Sequence, residues 1–272
     1  MLRADVTGPN DGPVVILLHG GGQTRWSWRE TAKALAAQGL RAVALDQRGH
    51  GESDWCPDGR YQLDDFAADI RAVCQHLGKP ATLIGASLGG MASLLACGEA
   101  PGIDCTALVL VDISPRIDQE GAQKVGTFLR TTLEGFATLE DAAQAISTYT
   151  DRPRRASAPE SLHKVLRRGA DGRYRWHWDP AFLSIGDSQE EWSPELFERR
   201  LIMAAHKVTV PTLIVRGQNS DVLSDQTMSW LGQELPHFEQ AVIPGVGHMI
   251  AADDNAAFNA AILPFVLNHS GK

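Results

Sequence analysis

Five features are missing from this 272-residue chain, and each absence removes a class of function. There is no basic excess: 25 Lys and Arg stand against 33 Asp and Glu, a formal net charge of −8. No basic stripe interrupts that balance, so a nucleic-acid partner is not expected. No apolar stretch reaches the roughly 18 residues that span a bilayer. The start, Met1-Leu2-Arg3-Ala4-Asp5-Val6, lacks the basic head and apolar run of a signal peptide. Paired cysteines are missing too. Cys56, Cys74, Cys97 and Cys105 never form a C-x-x-C, which fits buried small hydrophobes in a reducing compartment better than disulfides or metal ligands. Finally, neither G-x-G-x-x-G nor a Gly-Lys-Ser/Thr ending occurs, so no nucleotide site is expected. These absences point to a cytoplasmic protein with no nucleic-acid, nucleotide or membrane partner and no cysteine-held metal.

What is present is an ordinary globular composition, 43% hydrophobic and 21% charged, in a length that suits one α/β domain or one domain with an insert. Val14-Val15-Ile16-Leu17-Leu18 is a continuous apolar run, the pattern of a strand covered on both faces of a parallel sheet. Similar runs at Arg41–Leu45, Ala107–Val111, Pro211–Arg216 and Phe238–Ile243 alternate with helical patterns at Trp26–Gln38, Leu63–Leu77 and Asn255–Leu267. Strands alternating with helices indicate a parallel α/β sheet. Between residues 114 and 207 no good buried strand occurs, and the stretch reads as a helical insert. We expect a core of residues 1–113 and 208–272 and a cap of residues 114–207.

The chain is organised around Ala81-Thr82-Leu83-Ile84-Gly85-Ala86-Ser87-Leu88-Gly89-Gly90. An apolar run stops at Gly85, Ser87 follows, and after Gly89 and Gly90 comes an Ala- and Leu-rich helical stretch. Gly-x-Ser-x-Gly between strand and helix reads as a nucleophile elbow. Strain on the tight turn presents the hydroxyl above the sheet, and small neighbours let strand and helix converge.

An alcohol is a weak nucleophile at neutral pH and needs a positioned base. His248, in Pro244-Gly245-Val246-Gly247-His248 after the last strand, is the candidate. The imidazole needs a carboxylate to fix its tautomer. Asp221, just past the strand ending at Arg216, is preferred; Asp112, also at a strand end, is the alternative, and Asp225 a third choice. Two backbone N–H groups would hold the developing oxyanion: that of Leu88, directly after the serine, and one from Gly20-Gly21-Gly22, for which Gly21 is the candidate.

Together, His19-Gly20-Gly21-Gly22, Asp46-Gln47-Arg48-Gly49-His50-Gly51-Glu52-Ser53, the Ser87 elbow, Asp221 and Gly247-His248 resemble the α/β-hydrolase superfamily over about two thirds of the chain. The resemblance implies an eight-stranded, mostly parallel sheet with a helical cap inserted after the sixth strand, and cofactor-free acyl transfer to water. The general look is that of small bacterial esterases, metal-free haloperoxidase or perhydrolase-like enzymes and C–C hydrolases. Serine at position 87 argues against the aspartate-nucleophile epoxide hydrolases and haloalkane dehalogenases.

The substrate is less legible. Trp26 and Trp28, just past the glycine loop, are the better candidate pocket residues; Trp176, Trp178, Phe182 and Trp192 in the insert line an acyl pocket or serve as packing between cap and core. The leading expectation is a serine hydrolase of small carboxylic esters or related acyl compounds. Perhydrolase or C–C bond hydrolysis would use the same residues, and a receptor with dead chemistry is the alternative of another class.

Overall fold

The computed structural model describes residues 1–116, 118–149, 159–184, 193–247 and 255–271. The strands are β1 (Arg3–Thr7), β2 (Val14–Leu18), β3 (Arg41–Asp46), β4 (Ala81–Ala86), β5 (Cys105–Val111), the short β6 (Leu166–Arg168) and β7 (Tyr174–Trp176), β8 (Thr212–Gly217) and β9 (Phe238–Ile243). The helices are α1 (Arg29–Ala37), α2 (Leu63–Leu77), α3 (Leu88–Gly98), α4 (Gln119–Thr131), α5 (Leu139–Tyr149), α6 (Pro194–Lys207), α7 (Asp225–Glu234) and α8 (Asn255–His269).

The main sheet has the order β1-β3-β2-β4-β5-β8-β9, parallel except for β1. Among the described residues it holds seven strands rather than eight, and the insert follows the fifth strand in the chain. β1 was not legible as a strand because it is a mostly exposed edge with no apolar run.

Successive side chains of a strand point to opposite faces, so a run apolar at every position requires cover on both sides. Val14, Ile16 and Leu18 enter one core with Phe66 and Ile70 of α2, Leu94 and Leu95 of α3, Leu201 of α6 and Leu231 of α7. Val15 and Leu17 enter the other with Leu35 of α1 and Phe258, Ile262 and Phe265 of α8. Asp64 and Asp65 lie in the first turn of α2 and Gly78 closes it in the left-handed region at φ 62°.

The chain runs from β2 to β3 on one side and then crosses to β4 on the other, so the carboxyl ends of β2 and β4 form the switch point where open α/β sheets bind ligands. The two loops that leave there are His19–Gly22 and the turn at Ser87.

The 114–207 stretch is not wholly helical. It carries α4, α5, the β6–β7 hairpin and α6. A three-residue strand in Tyr174-Arg175-Trp176 has no buried face of its own to announce it. The last helix, α6, belongs to the body of the fold. Leu201, Ala204 and Ala205 share the main core, and a Cβ on Gly98 would stand 2.2 Å from the Ala204 carbonyl oxygen. Arg200 adds ion pairs to Asp64 of α2 and Glu99 after α3.

Candidate active site

Ser87 sits at φ 44°, ψ −112°, outside the regions an L-residue prefers. Such a conformation costs about 1–3 kcal/mol and persists only where its surroundings enforce it. Here they do. A Cβ on Gly85 would lie 2.4 Å from the Gly89 carbonyl oxygen, one on Gly89 2.5 Å from that of Leu18, and one on Gly90 2.8 Å from that of Gly85. Strand, turn and helix therefore meet at backbone contact, which only glycine allows. The Ser87 N–H bonds to the Val111 carbonyl at 3.3 Å, tying the turn to β5. Leu88 opens α3, so its N–H has no acceptor within the helix.

The glycine loop lies against this turn: a Cβ on Gly20 would be 3.4 Å from Ser87 Cβ. Its N–H groups are sorted by two side chains. Gln23 Oε1 accepts the Gly20 N–H at 3.1 Å, and His50 Nε2 accepts that of Gly22 at 3.1 Å. Among the described residues the Gly21 N–H has no acceptor. His50 can accept because its Nδ1 donates to the Arg48 carbonyl at 3.0 Å. His19 is fixed the same way, Nδ1 donating to Gly20 O at 2.8 Å and Nε2 accepting the Gln47 N–H at 3.0 Å. Both rings are fully buried, 5.1 Å apart. Burial pushes His19 down to about 4; burial, and then the charge of His19, push His50 down to about 3. Both are neutral braces at working pH. The burial of His50 beside the loop is not visible in the Asp46–Ser53 motif, where glycines on both sides give no apolar signal.

Two carboxylates compete for the place beside the histidine. β4 and β5 are in register through Ala86 and Val111, so Ser87 and Asp112 leave the sheet side by side. Asp112 is buried and shares with Ser87 a positive φ, 49°. Its Oδ1 accepts the Gly217 N–H at 3.3 Å and its Oδ2 the Ser220 hydroxyl at 2.6 Å. Asp221 is turned toward the insert. Its carboxylate pairs with Lys124 of α4 at 2.6 Å, its side chain is 39% exposed, and its carbonyl packs against Gly121. Asp225 pairs with Arg216 and is almost wholly exposed. His248 and Trp192 lie outside the described residues. The chain just before the histidine does not: a Cβ on Gly217 would be 2.5 Å from the Gly247 carbonyl oxygen, and the Asn219 N–H bonds to Val246 O at 2.9 Å. Gly247 thus abuts the residue whose N–H holds Asp112.

The aromatic expectations divide. Trp28 is buried against Phe258 on the opposite face of the sheet, and Trp26 stands 37% exposed between Arg29 and Lys164. Both rings stand on a 3-10 turn, Arg25–Trp28, that leads from the glycine loop into α1. Trp176 packs on Phe128 and Phe136 within the insert and donates to Thr132 Oγ1 at 2.8 Å. Trp178 and Phe182 reach the glycine loop. A Cβ on Gly21 would be 2.8 Å from Phe182 Cζ, and one on Gly22 3.6 Å from Trp178 Nε1 and 2.9 Å from Leu129. Among the described residues no cluster of three or more His, Cys, Asp or Glu side chains is placed to hold a metal, and no helix is long and apolar enough to cross a membrane.

The model of the alpha/beta hydrolase fold family matches residues 13–254. The chain belongs to the α/β-hydrolase fold family. It is 29% identical over 256 residues to the esterase Rv0045c of Mycobacterium tuberculosis, covering 90% of this chain and 80% of that one. It is 26% identical to the 2-(acetamidomethylene)succinate hydrolase of Mesorhizobium japonicum over 92% of this chain and 86% of that one. Among solved structures, the hypothetical protein PA1622 of Pseudomonas aeruginosa PAO1 superposes with a TM-score of 0.77 at 30% identity, covering 99% of this chain and 96% of that one. The hydrolase and esterase names agree with the hydrolase reading of this α/β-hydrolase sequence.

Proposed function

We propose that the protein is a serine hydrolase that cleaves small carboxylic esters or related acyl compounds through an acyl-enzyme on Ser87. The observation that carries the reading is a strained serine beside a glycine loop in which, among the described residues, Gly21 alone offers an unshared N–H. Ser87 Oγ attacks the carbonyl carbon while His248 takes its proton. The N–H groups of Gly21 and Leu88 receive the oxyanion, a contribution typically worth several kcal/mol of barrier. The imidazolium gives its proton to the leaving alkoxide; water, deprotonated by the same imidazole, then releases the acid.

The acid of the triad we assign to Asp112 in place of Asp221. Support comes from its burial, its position beside Ser87, and its link through Gly217 to the chain entering His248. Asp221 is engaged with Lys124. The insert acts as a cap, with Phe182 and Leu129 giving the acyl side an apolar wall against the glycine loop. The esterase name of a relative at 29% identity supports the ester substrate. A cytoplasmic setting fits four cysteines without a disulfide.

The test is fluorophosphonate labelling and a panel of esters of graded chain length with Ser87→Ala, Asp112→Ala and Asp221→Ala. Ser87→Ala should abolish labelling, and Asp112→Ala should lower kcat about 10³- to 10⁴-fold while Asp221→Ala changes it little. Near-full hydrolysis by Ser87→Ala overturns the function, and the reverse ranking of the two aspartates overturns only the acid.

A further inference from the structure

Ser220 follows β8 in a turn closed by its own N–H to the Gly217 carbonyl at 3.0 Å. Its hydroxyl oxygen accepts two backbone N–H groups, from Val222 at 3.1 Å and Leu223 at 3.2 Å. A hydroxyl has two acceptor sites and one hydrogen. With both acceptor sites taken, the hydrogen goes to Asp112 Oδ2, 2.6 Å away, the length of a charge-assisted O–H···O⁻ bond. The Gly217 N–H meets the other oxygen of the same carboxylate. One turn therefore grips both oxygens of Asp112, and the grip on Oδ2 cannot rotate away.

We infer that Ser220 is a positioning residue of the site: its locked hydroxyl holds the Asp112 carboxylate in the orientation from which it serves the catalytic histidine. The inference rests on the reading of Asp112 as the acid. Carboxylates turn about their terminal bond in broad, shallow wells, so an acid gripped at one oxygen alone would sample orientations that misalign the imidazole. The hydroxyl fixes the carboxylate plane without neutralising it. The sequence signal is small: a serine three residues after the glycine that ends β8.

A purely local role, closing the turn for Val222 and Leu223, is the competing account, and kinetics separate the two. Initial rates on p-nitrophenyl acetate would be measured for wild type, Ser220→Ala, Ser220→Thr, Asp112→Ala and the double variant Ser220→Ala/Asp112→Ala, each checked by thermal melting. Loss of one charge-assisted hydrogen bond predicts a fall in kcat of about ten-fold or more for Ser220→Ala, with KM nearly unchanged. Threonine, which keeps the hydroxyl, should restore most of it. In the Asp112→Ala background, removing the hydroxyl should cost nothing further. An unchanged kcat in Ser220→Ala, or the same fractional loss in both backgrounds, overturns the inference while leaving the acid assignment intact. Near-wild-type kcat in Asp112→Ala removes the acid assignment and this inference with it. Should Asp112→Ala not fold, a kcat-only loss rescued by threonine decides for positioning, and an unrescued loss or one in KM decides against it.

Discussion

The two buried imidazoles beside the glycine loop make the protein's acid stability calculable. An unfolded histidine titrates near 6.5, whereas His19 in the fold is held near 4 and His50 near 3, in both cases first by burial. As pH falls from 7 to 5 the unfolded chain takes up nearly one proton at each residue and the folded chain takes up almost none. The unfolded state binds more protons in this window, so stability is full above 6.5 and is lost as pH falls. The integrated loss is about 2 kcal/mol per histidine between pH 7 and 5, or about 4 kcal/mol for the pair. That is a large share of the roughly 5–15 kcal/mol of a typical domain. Protonation also reverses the contact that orders the loop, because His50 Nε2 would then present a donor to the Gly22 N–H it accepts now. Urea unfolding at pH 7, 6 and 5 should show the decline, with a slope approaching about 1.4 kcal/mol per pH unit for each histidine below 6. His50→Gln, whose amide oxygen can accept from Gly22, should remove one histidine's share of the slope. An identical pH dependence in wild type and His50→Gln would refute the argument.

Three further outcomes follow from the packing. Gly89→Ala should be destabilised by about 3 kcal/mol, the upper range for overpacking, because the added methyl meets sheet backbone at Leu18 and His19 rather than movable side chains; denaturant midpoints check it. Tyr61→Phe removes the hydroxyl that donates to Asp179 Oδ2 at 2.6 Å and accepts the Cys56 N–H at 2.9 Å, and should cost about 1.5–3 kcal/mol by the same measurement. Phe182→Ala uncovers the glycine loop and should shift the ester preference toward longer or branched acyl groups, read as kcat/KM across the ester panel.

What the sequence disclosed was whatever depends on short-range pattern. The buried strands showed because both their faces are apolar, as in Val14–Leu18, and the elbow showed because only glycine tolerates the contacts around Ser87. The mostly exposed edge strand β1 and the half-buried hairpin carried no such signature. Trp26 and Trp28 are two residues apart and lie near the glycine loop in sequence, yet they end up on a surface and in the far core. Proximity along the chain says little once a 3-10 turn redirects it. The choice between Asp221 and Asp112 turns on a matter the linear text does not hold: which strand-end carboxylate is held by the turn after β8 and which pairs with a cation on the insert.

The insert does not hang over the sheet from its two ends. Residues 177–179 are stitched to the Asp46–Ser53 loop by backbone hydrogen bonds, Gly51 N–H to His177 O at 2.7 Å and Asp179 N–H to Gly49 O at 2.8 Å. Between those two bonds lies His50, whose ring orders the glycine loop, and against it at 4.7 Å lies Phe182 of the insert. A substitution that moves Phe182 therefore presses on the ring that accepts the Gly22 N–H. On the function proposed above, substrate scope and turnover are coupled through His50. On that reading they will not vary independently unless the 177–179 stitch is kept and Phe182 stays in place against His50.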